Sequence, residues 1–214
     1  MKQYFLKKIQ LYDIEVEKII YDFKVNQTNT PTRFINIIIH QTGNKKSIQE
    51  IIDLHVKKNH WSAIGYHFII SQTGKIYYSR ELKYAGAHTY SYNKNSIGIA
   101  LLGNYNKIKP TEKQIISLKK LISKLKINHP IKRILGHNQA IYKLIRDKFW
   151  KLNLDDINPI EIQTKLSYDI FTKEITTKIL EFNASPENLN LIKKFKSCPG
   201  FNMYKILNEI EKEF

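Results

Sequence analysis

Three residues with side chains that can bind a metal ion lie far apart in the sequence: His40, His137 and Cys198. Cys198 is the only cysteine among 214 residues. It therefore cannot form an intramolecular disulfide, and its thiol must be inert, reactive or a ligand. Two imidazoles and one thiolate leave the fourth position of a tetrahedral zinc ion to water, as in catalytic zinc sites. By spacing alone this set is weak evidence, because 97 positions separate His40 from His137 and 61 separate His137 from Cys198. A lone cysteine is more often a small buried apolar residue.

Both histidines close segments that are typical of strands. His40 ends "INIIIH" and His137 ends "IKRILGH". The carboxyl ends of strands are where open α/β sheets present functional groups, because the strand holds the residue rigidly while the adjoining loop is free. The two histidines are therefore expected at equivalent places in a sheet.

The sequence predicts an α/β fold with a mixed central sheet flanked by helices. Apolar runs indicate strands at residues 34–40, 64–70, 75–79, 96–103 and 131–137, with "SQTGK" as a hairpin turn. Two helices open on capping boxes, in which Ser47 precedes Glu50 and Thr111 precedes Gln114 by three residues. Residues 1–33 are predicted to form a helical extension and a linker, and residues 34–214 the main domain. A helical insertion is expected to interrupt this domain at about residues 139–195.

The chain is strongly basic, with a formal charge of +16. Residues 34–138 hold 17 Lys and Arg against 4 Asp and Glu, whereas residues 139–195 hold 9 against 8. This charge indicates an anionic partner, namely nucleic acid, anionic lipid or an acidic wall polymer. The alternative explanation of the positive charge is an AT-rich genome, which encodes many lysines whatever the partner. No zinc-finger spacing or other nucleic-acid-binding motif is present, so nucleic acid is not expected as a partner.

The first twenty residues contain basic side chains but no uninterrupted apolar run of seven or more, as a secretory signal would require. No segment of the sequence qualifies as a transmembrane helix. We therefore expect synthesis in the cytosol. Release by lysis or by non-classical export stays compatible with this expectation.

Five motifs, "IIIHQTG", "SAIGYHFII", "GAHTYSYNKNSIGIALLGNY", "GHN" and "CPG", occur in this order. Together they resemble the zinc-dependent N-acetylmuramoyl-L-alanine amidases of type 2, which share a fold with the peptidoglycan recognition proteins. The resemblance covers residues 34–138 and resumes at about residue 195. It implies Zn²⁺ held by His40, His137 and Cys198, and hydrolysis of the amide between N-acetylmuramic acid and the L-alanine of the stem peptide.

The resemblance also implies catalytic roles for Tyr66, in "IGYHF", and Lys196, two residues before the cysteine. Lys196 would offer a cation where negative charge develops, and Tyr66 would hold water or donate to the oxyanion. Outside this motif context, Tyr66 would be an ordinary sheet aromatic and Lys196 a surface lysine. Other relatives carry a glutamate base in the "SIGI" strand, where this chain has Ala100.

Substrate contacts are implied for His88, Thr89 and Asn93, and Trp61 is expected either in the cleft or in the core. Expected partners are peptidoglycan or muropeptides, with anionic wall polymers as a further candidate, and the chain is expected to act as a monomer. The alternative is a non-catalytic recognition module. Because recognition-only relatives lack the cysteine ligand, retention of Cys198 favours catalysis. The expected enzyme is endolysin-like.

One departure from the family is the distance between "GHN" and "CPG". Relatives connect the two motifs by a much shorter segment, whereas here about sixty residues intervene. Because both ends of this segment carry proposed metal ligands, the insertion must leave the cleft's rim and return to it. It is predicted to form either a lid or side wall of the cleft or a subdomain away from it.

Overall fold

The protein is organised around one mixed β-sheet. A computed structural model describes residues 4–22, 29–148, 172–178 and 198–214. Within these ranges seven strands pair in the order β1-β2-β5-β4-β6-β3-β7. Their bounds are β1 Tyr4–Leu11, β2 Ile14–Tyr21, β3 Asn36–Gln41, β4 Phe68–Ile70, β5 Ile76–Tyr78, β6 Ser96–Leu101 and β7 Arg133–Gly136. Neighbours among β4, β6, β3 and β7 run parallel, while β4 and β5 form an antiparallel pair. The predicted mixed sheet is thus confirmed.

Helices cover both faces of this sheet. They are α1 Ile48–Ile52, which continues as a π-helical segment Asp53–Lys58, then α2 Glu112–Asn128, α3 His137–Lys148 and α4 Phe201–Glu213, and residues 172–178 are also helical. Both predicted capping boxes are present: the Glu50 N–H donates to Ser47 Oγ at 3.2 Å and the Gln114 N–H to Thr111 Oγ1 at 3.1 Å. Each box satisfies backbone donors that the first turn of the helix leaves unpaired.

Alternation along β3 divides the core into two layers. Ile37 and Ile39 pack with α2 and α4 on one face. Ile38 packs with Ala140 of α3 on the other face. All three isoleucines are fully buried, which explains why this strand reads as a continuous apolar run. Since side chains alternate along a strand, His40 projects on the same side as Ile38.

The prediction of a helix at the N-terminus is wrong, because residues 4–21 form the antiparallel hairpin β1–β2. Tyr12 and Asp13 both have positive φ, 51° and 62°, as in the two-residue turns that match strand twist. Ile14 and Val16 are buried in the core while Glu15 between them is exposed. This alternation is the period of a strand, and β2 extends the sheet by pairing parallel to β5.

The end of β2 also supports a neighbouring loop. Tyr21 donates its hydroxyl hydrogen to the carbonyl of Ser79 at 3.0 Å and accepts from the N–H of Ile64 at 3.2 Å. Burial raises the pKa of Tyr21 to about 12, so the hydroxyl keeps its proton. The hairpin therefore braces the segment that leads into β4.

Three further expectations differ from the structure in extent. The strand expected at residues 64–70 is confined to Phe68–Ile70, and His137 begins α3 instead of ending β7. Of the predicted insertion, residues up to Lys148 and residues 172–178 are helical, and the other residues of the insertion lie outside the described ranges. In the described ranges no helix combines the length and apolarity that crossing a bilayer requires.

Candidate metal centre

The register of the sheet brings the two histidines together. Ile39 of β3 pairs with Gly136 of β7, so His40 and His137, the residues that follow, emerge side by side. Cys198 lies three residues before the start of α4 and completes the cluster. The ligand atoms of the three side chains all lie within 4.8 Å of one another, and each residue is at least nine-tenths buried. The set singled out in the sequence is therefore brought together by the fold.

Backbone contacts hold Cys198 in place. Its carbonyl accepts from the N–H of Asn138 at 3.0 Å and from the hydroxyl of Tyr204 at 3.2 Å. The N–H of Gln41 points at Cys198 Sγ from 3.4 Å, a contact that favours the thiolate. Gly136 allows close packing here, because a Cβ at this position would lie 2.7 Å from Pro199 Cδ.

The donor set fits zinc. Imidazole nitrogen and thiolate sulfur are the ligands that zinc prefers. Cys198 Sγ lies 3.6 Å from His40 Nδ1. Two ligands at about 2.0 and 2.3 Å on a tetrahedral ion would be separated by about 3.5 Å. The pair His40–Cys198 therefore has nearly the spacing that a shared zinc ion requires.

A cavity of about 260 Å³ opens beside the three ligands. Its lining also includes Tyr66, His88 and residues 41–43. Among these described lining residues there is no carboxylate. Ala100, which pairs with His40 across β3 and β6, is buried and provides no base. Residues 41–43 were not predicted to belong to the site, although they directly follow His40 in "HQTG".

Tyr66 packs against the cluster of candidate metal ligands. Its ring centroid lies 5.0 Å from that of His40. Burial raises the pKa of the phenol, and the nearby charge of Cys198 raises it further. Tyr66 consequently stays protonated at neutral pH and can donate a hydrogen bond. The other predicted catalytic residue, Lys196, lies outside the described residues.

Trp61 lies at the surface near this site. It is 38% exposed, so it is not buried in the core. Its ring lies 4.7 Å from His55, whose ring in turn lies 5.5 Å from that of Tyr66. His55 also accepts from the N–H of Gly65 at 3.2 Å. Trp61 and Tyr66 are thus joined through one packed histidine, and substrate contact by Trp61 stays a prediction.

Of the predicted substrate residues, His88 and Thr89 lie beside Nε2 of His40, and Asn93 contacts the backbone of both. His88 Nδ1 is 3.0 Å and Thr89 Oγ1 is 3.3 Å from His40 Nε2. Asn93 Oδ1 accepts from the backbone N–H groups of His88 and Thr89 at 2.8 and 2.9 Å. Their contact with His40, a candidate metal ligand, was not anticipated from the sequence. Whether they also bind substrate stays a prediction.

Burial determines the charge of two further histidines. It lowers the pKa of His88 well below 6.5 and that of His67 to about 3. His67 accepts from the N–H of Gly98 at 3.0 Å through Nδ1, and its Nε2 lies 3.1 Å from the carbonyl of Tyr84. These bonds give His67 a structural role. Both imidazoles are neutral at physiological pH.

Comparison with known proteins assigns the chain to one protein family. The sequence profile of the N-acetylmuramoyl-L-alanine amidase family (Amidase_2) matches residues 30–148. A peptidoglycan recognition protein of Trichoplusia ni is 43% identical over 89 residues, which are 39% of this chain and 47% of that relative. The matched part of the chain thus spans about half of that protein.

Solved structures of two relatives share the fold. The peptidoglycan recognition protein SA of Apis mellifera superposes with a TM-score of 0.52 at 30% identity, over 55% of this chain and 79% of that one. An N-acetylmuramoyl-L-alanine amidase of Clostridium intestinale has a TM-score of 0.51 at 28% identity, over 61% of this chain and 94% of that one.

Proposed function

Because the chain belongs to the N-acetylmuramoyl-L-alanine amidase family, we propose that it is a zinc-dependent peptidoglycan hydrolase. It cleaves the amide bond between N-acetylmuramic acid and the L-alanine of the stem peptide. The observation that carries this proposal is the convergence of His40, His137 and Cys198 within 4.8 Å, beside a cavity that Tyr66 also lines. A recognition surface alone has no need of three buried zinc-type ligands.

Each residue of the site has a defined part in this reaction. His40, His137 and Cys198 hold the ion, and Gln41 stabilises the sulfur as thiolate through its N–H. When bound, Zn²⁺ supplies Lewis acidity that activates water and polarises an amide carbonyl. Tyr66, which stays protonated, donates a hydrogen bond to the oxygen on which negative charge develops.

The residue paired with His40 across β3 and β6 separates this site from relatives that use a glutamate base. Ala100 occupies the equivalent place and carries no ionisable group. The described residues that line the cavity therefore offer no carboxylate base, and the proposed catalytic residues are Tyr66, as a hydrogen-bond donor, and Lys196. Lys196 would offset the developing negative charge as a cation.

Charge supports an anionic substrate. Residues 34–138, which include His40, Tyr66 and His137, carry 17 basic against 4 acidic side chains. Peptidoglycan stems carry carboxylates and many walls carry phosphate polymers, so a basic body is attracted to them. The action we propose is endolysin-like, by a monomer.

A second candidate function is recognition of peptidoglycan without cleavage. It is favoured by the relatives that are named peptidoglycan recognition proteins, including those of Trichoplusia ni and Mus musculus. Such a module would bind muropeptides in the same cavity and release no new amino termini.

Digestion of purified sacculi and of soluble muropeptides by the zinc-loaded full chain separates the two functions. Mass spectrometry identifies the cleaved bond, and labelling of new L-alanine amino termini gives its rate. We expect release by the wild type, loss of release with a chelator, and loss in Cys198→Ser. His60→Asn is the matched control, because His60 is exposed and has a φ of 56° that asparagine tolerates. Binding of muropeptides with no release would assign the recognition function instead.

A further inference from the structure

The two ring nitrogens of His40 have different surroundings. Nδ1 faces the ligand cluster, 3.6 Å from Cys198 Sγ. Nε2 faces away from it, toward His88 Nδ1 at 3.0 Å and Thr89 Oγ1 at 3.3 Å. A neutral imidazole that binds a metal through Nδ1 must carry its hydrogen on Nε2. That hydrogen needs an acceptor, because His40 is only 2% exposed.

From this geometry we propose that His88 and Thr89 are positioning residues for His40. They accept the Nε2 hydrogen of His40, directly or through the Thr89 hydroxyl, and so keep the Nδ1 lone pair available to the ion. The inference rests on the proposed zinc site but assigns a new role to residues expected only to touch substrate. Metal-bound histidines generally need such a partner to fix their tautomer.

The hydroxyl of Thr89 can set which group donates and which accepts in these hydrogen bonds. It lies 3.0 Å from His88 Nδ1 as well as 3.3 Å from His40 Nε2, and Thr89 is 1% exposed. A hydroxyl both accepts and donates, so it can receive the His40 hydrogen while donating its own to His88. The opposite polarity, with His88 donating to His40 Nε2, would put the His40 hydrogen on Nδ1 and prevent ligation.

The surrounding backbone is built to hold this pair of residues. Asn93 Oδ1 accepts from both backbone N–H groups, of His88 and of Thr89. Two glycines make room for the imidazole: a Cβ at Gly86 or at Gly98 would lie 2.3 or 2.5 Å from His88 Cδ2. The position of His88 and Thr89 and the room for the His88 ring therefore depend on two segments, the loop that contains Gly86 and Asn93 and the strand β6 that contains Gly98.

Zinc binding and tautomer can be measured without substrate. We would compare wild type with His88→Ala, His88→Asn, Thr89→Val and Thr89→Ser. The amide oxygen of His88→Asn can occupy the place of Nδ1, and Thr89→Ser keeps the hydroxyl. Thr89→Val keeps the shape and removes the hydroxyl, so it is the variant least expected to disturb folding.

We expect His88→Ala and Thr89→Val to weaken zinc binding, measured by competition with a chromogenic chelator, by about 10- to 100-fold. His88→Asn and Thr89→Ser should stay within a few-fold of wild type. In metal-free protein with ¹⁵N-labelled histidine, the His40 nitrogen shifts should report a hydrogen on Nε2 in wild type and a mixture of tautomers in His88→Ala.

Three outcomes would overturn the inference. One is wild-type zinc affinity in both His88→Ala and Thr89→Val, and another is an unchanged His40 tautomer in His88→Ala. The third is an equal loss of affinity in all four variants with a matching loss of thermal stability, which would indicate a merely structural role. A wild type that binds zinc without cleaving peptidoglycan would instead refute the proposed function and leave this inference standing.

Discussion

His67 provides a direct test of the energetics of this fold, because its protonation is coupled to folding. The side chain is fully buried, and burial lowers its pKa from 6.5 to about 3, with the Arg80 guanidinium adding to the effect. A second ring hydrogen would have to sit on Nδ1, which already accepts from the N–H of Gly98. The folded protein therefore resists a proton that the unfolded chain accepts.

The size of the effect follows from the two pKa values. The difference between 6.5 and about 3 corresponds to about 5 kcal/mol at about 1.36 kcal/mol per unit. Stability from this residue is fully present above the unfolded pKa of 6.5 and is lost as the pH falls from there through about 3. At pH 5 the expected loss is about 2 kcal/mol.

Urea unfolding of the metal-free protein at about pH 7 and about pH 5 measures this loss. Between these conditions the wild type should lose about 2 kcal/mol more than His67→Gln, whose amide does not titrate. His60→Asn, a change at an exposed histidine, should behave as wild type. If wild type and His67→Gln lose the same free energy of unfolding, the assignment of a neutral, buried His67 is refuted.

Three other changes test the site and the core. Gly98→Ala would place a Cβ 2.5 Å from the His88 ring, so zinc affinity should fall; unchanged affinity would contradict the packing described for His88. Tyr66→Phe removes only the hydroxyl, and kcat for amide release should drop at least about 100-fold while chelator competition shows unchanged zinc binding. Ile14→Ala, at a residue 3% exposed, should cost about 2–5 kcal/mol in urea unfolding, whereas Phe5→Ala, 57% exposed, should cost less than about 0.5 kcal/mol; equal costs would argue against a hairpin that contributes to the core.

Local patterns were sufficient for the centre of the fold. Continuous apolar segments around Ile37–Ile39, and the capping boxes at Ser47 and Thr111, encode their structure within a few residues. The N-terminal hairpin was missed because only Ile14 and Val16 alternate clearly with charged residues. Its parallel pairing with β5 joins residues about sixty positions apart, and no local pattern reports such a pairing.

The three candidate ligands could be proposed from motifs, but the residues that surround them could not. His40 and His137 adjoin residues paired across neighbouring strands, and this register is a property of the whole sheet. The contact of His88 with His40 joins residues 48 positions apart, and it depends on how the loop of residues 86–95 folds back on β6. A sequence motif identifies His88 as significant without indicating which neighbour it contacts.

The brace formed by Tyr21 bears on how fragments of this protein should be cut. The family profile begins at residue 30 and stops at residue 148, so a recombinant piece trimmed to those limits would omit the entire β1–β2 hairpin. The N–H of Ile64 would lose its bond to the Tyr21 hydroxyl, two residues before Tyr66. Such a piece would also lack Cys198, and its inactivity would say nothing about the intact chain.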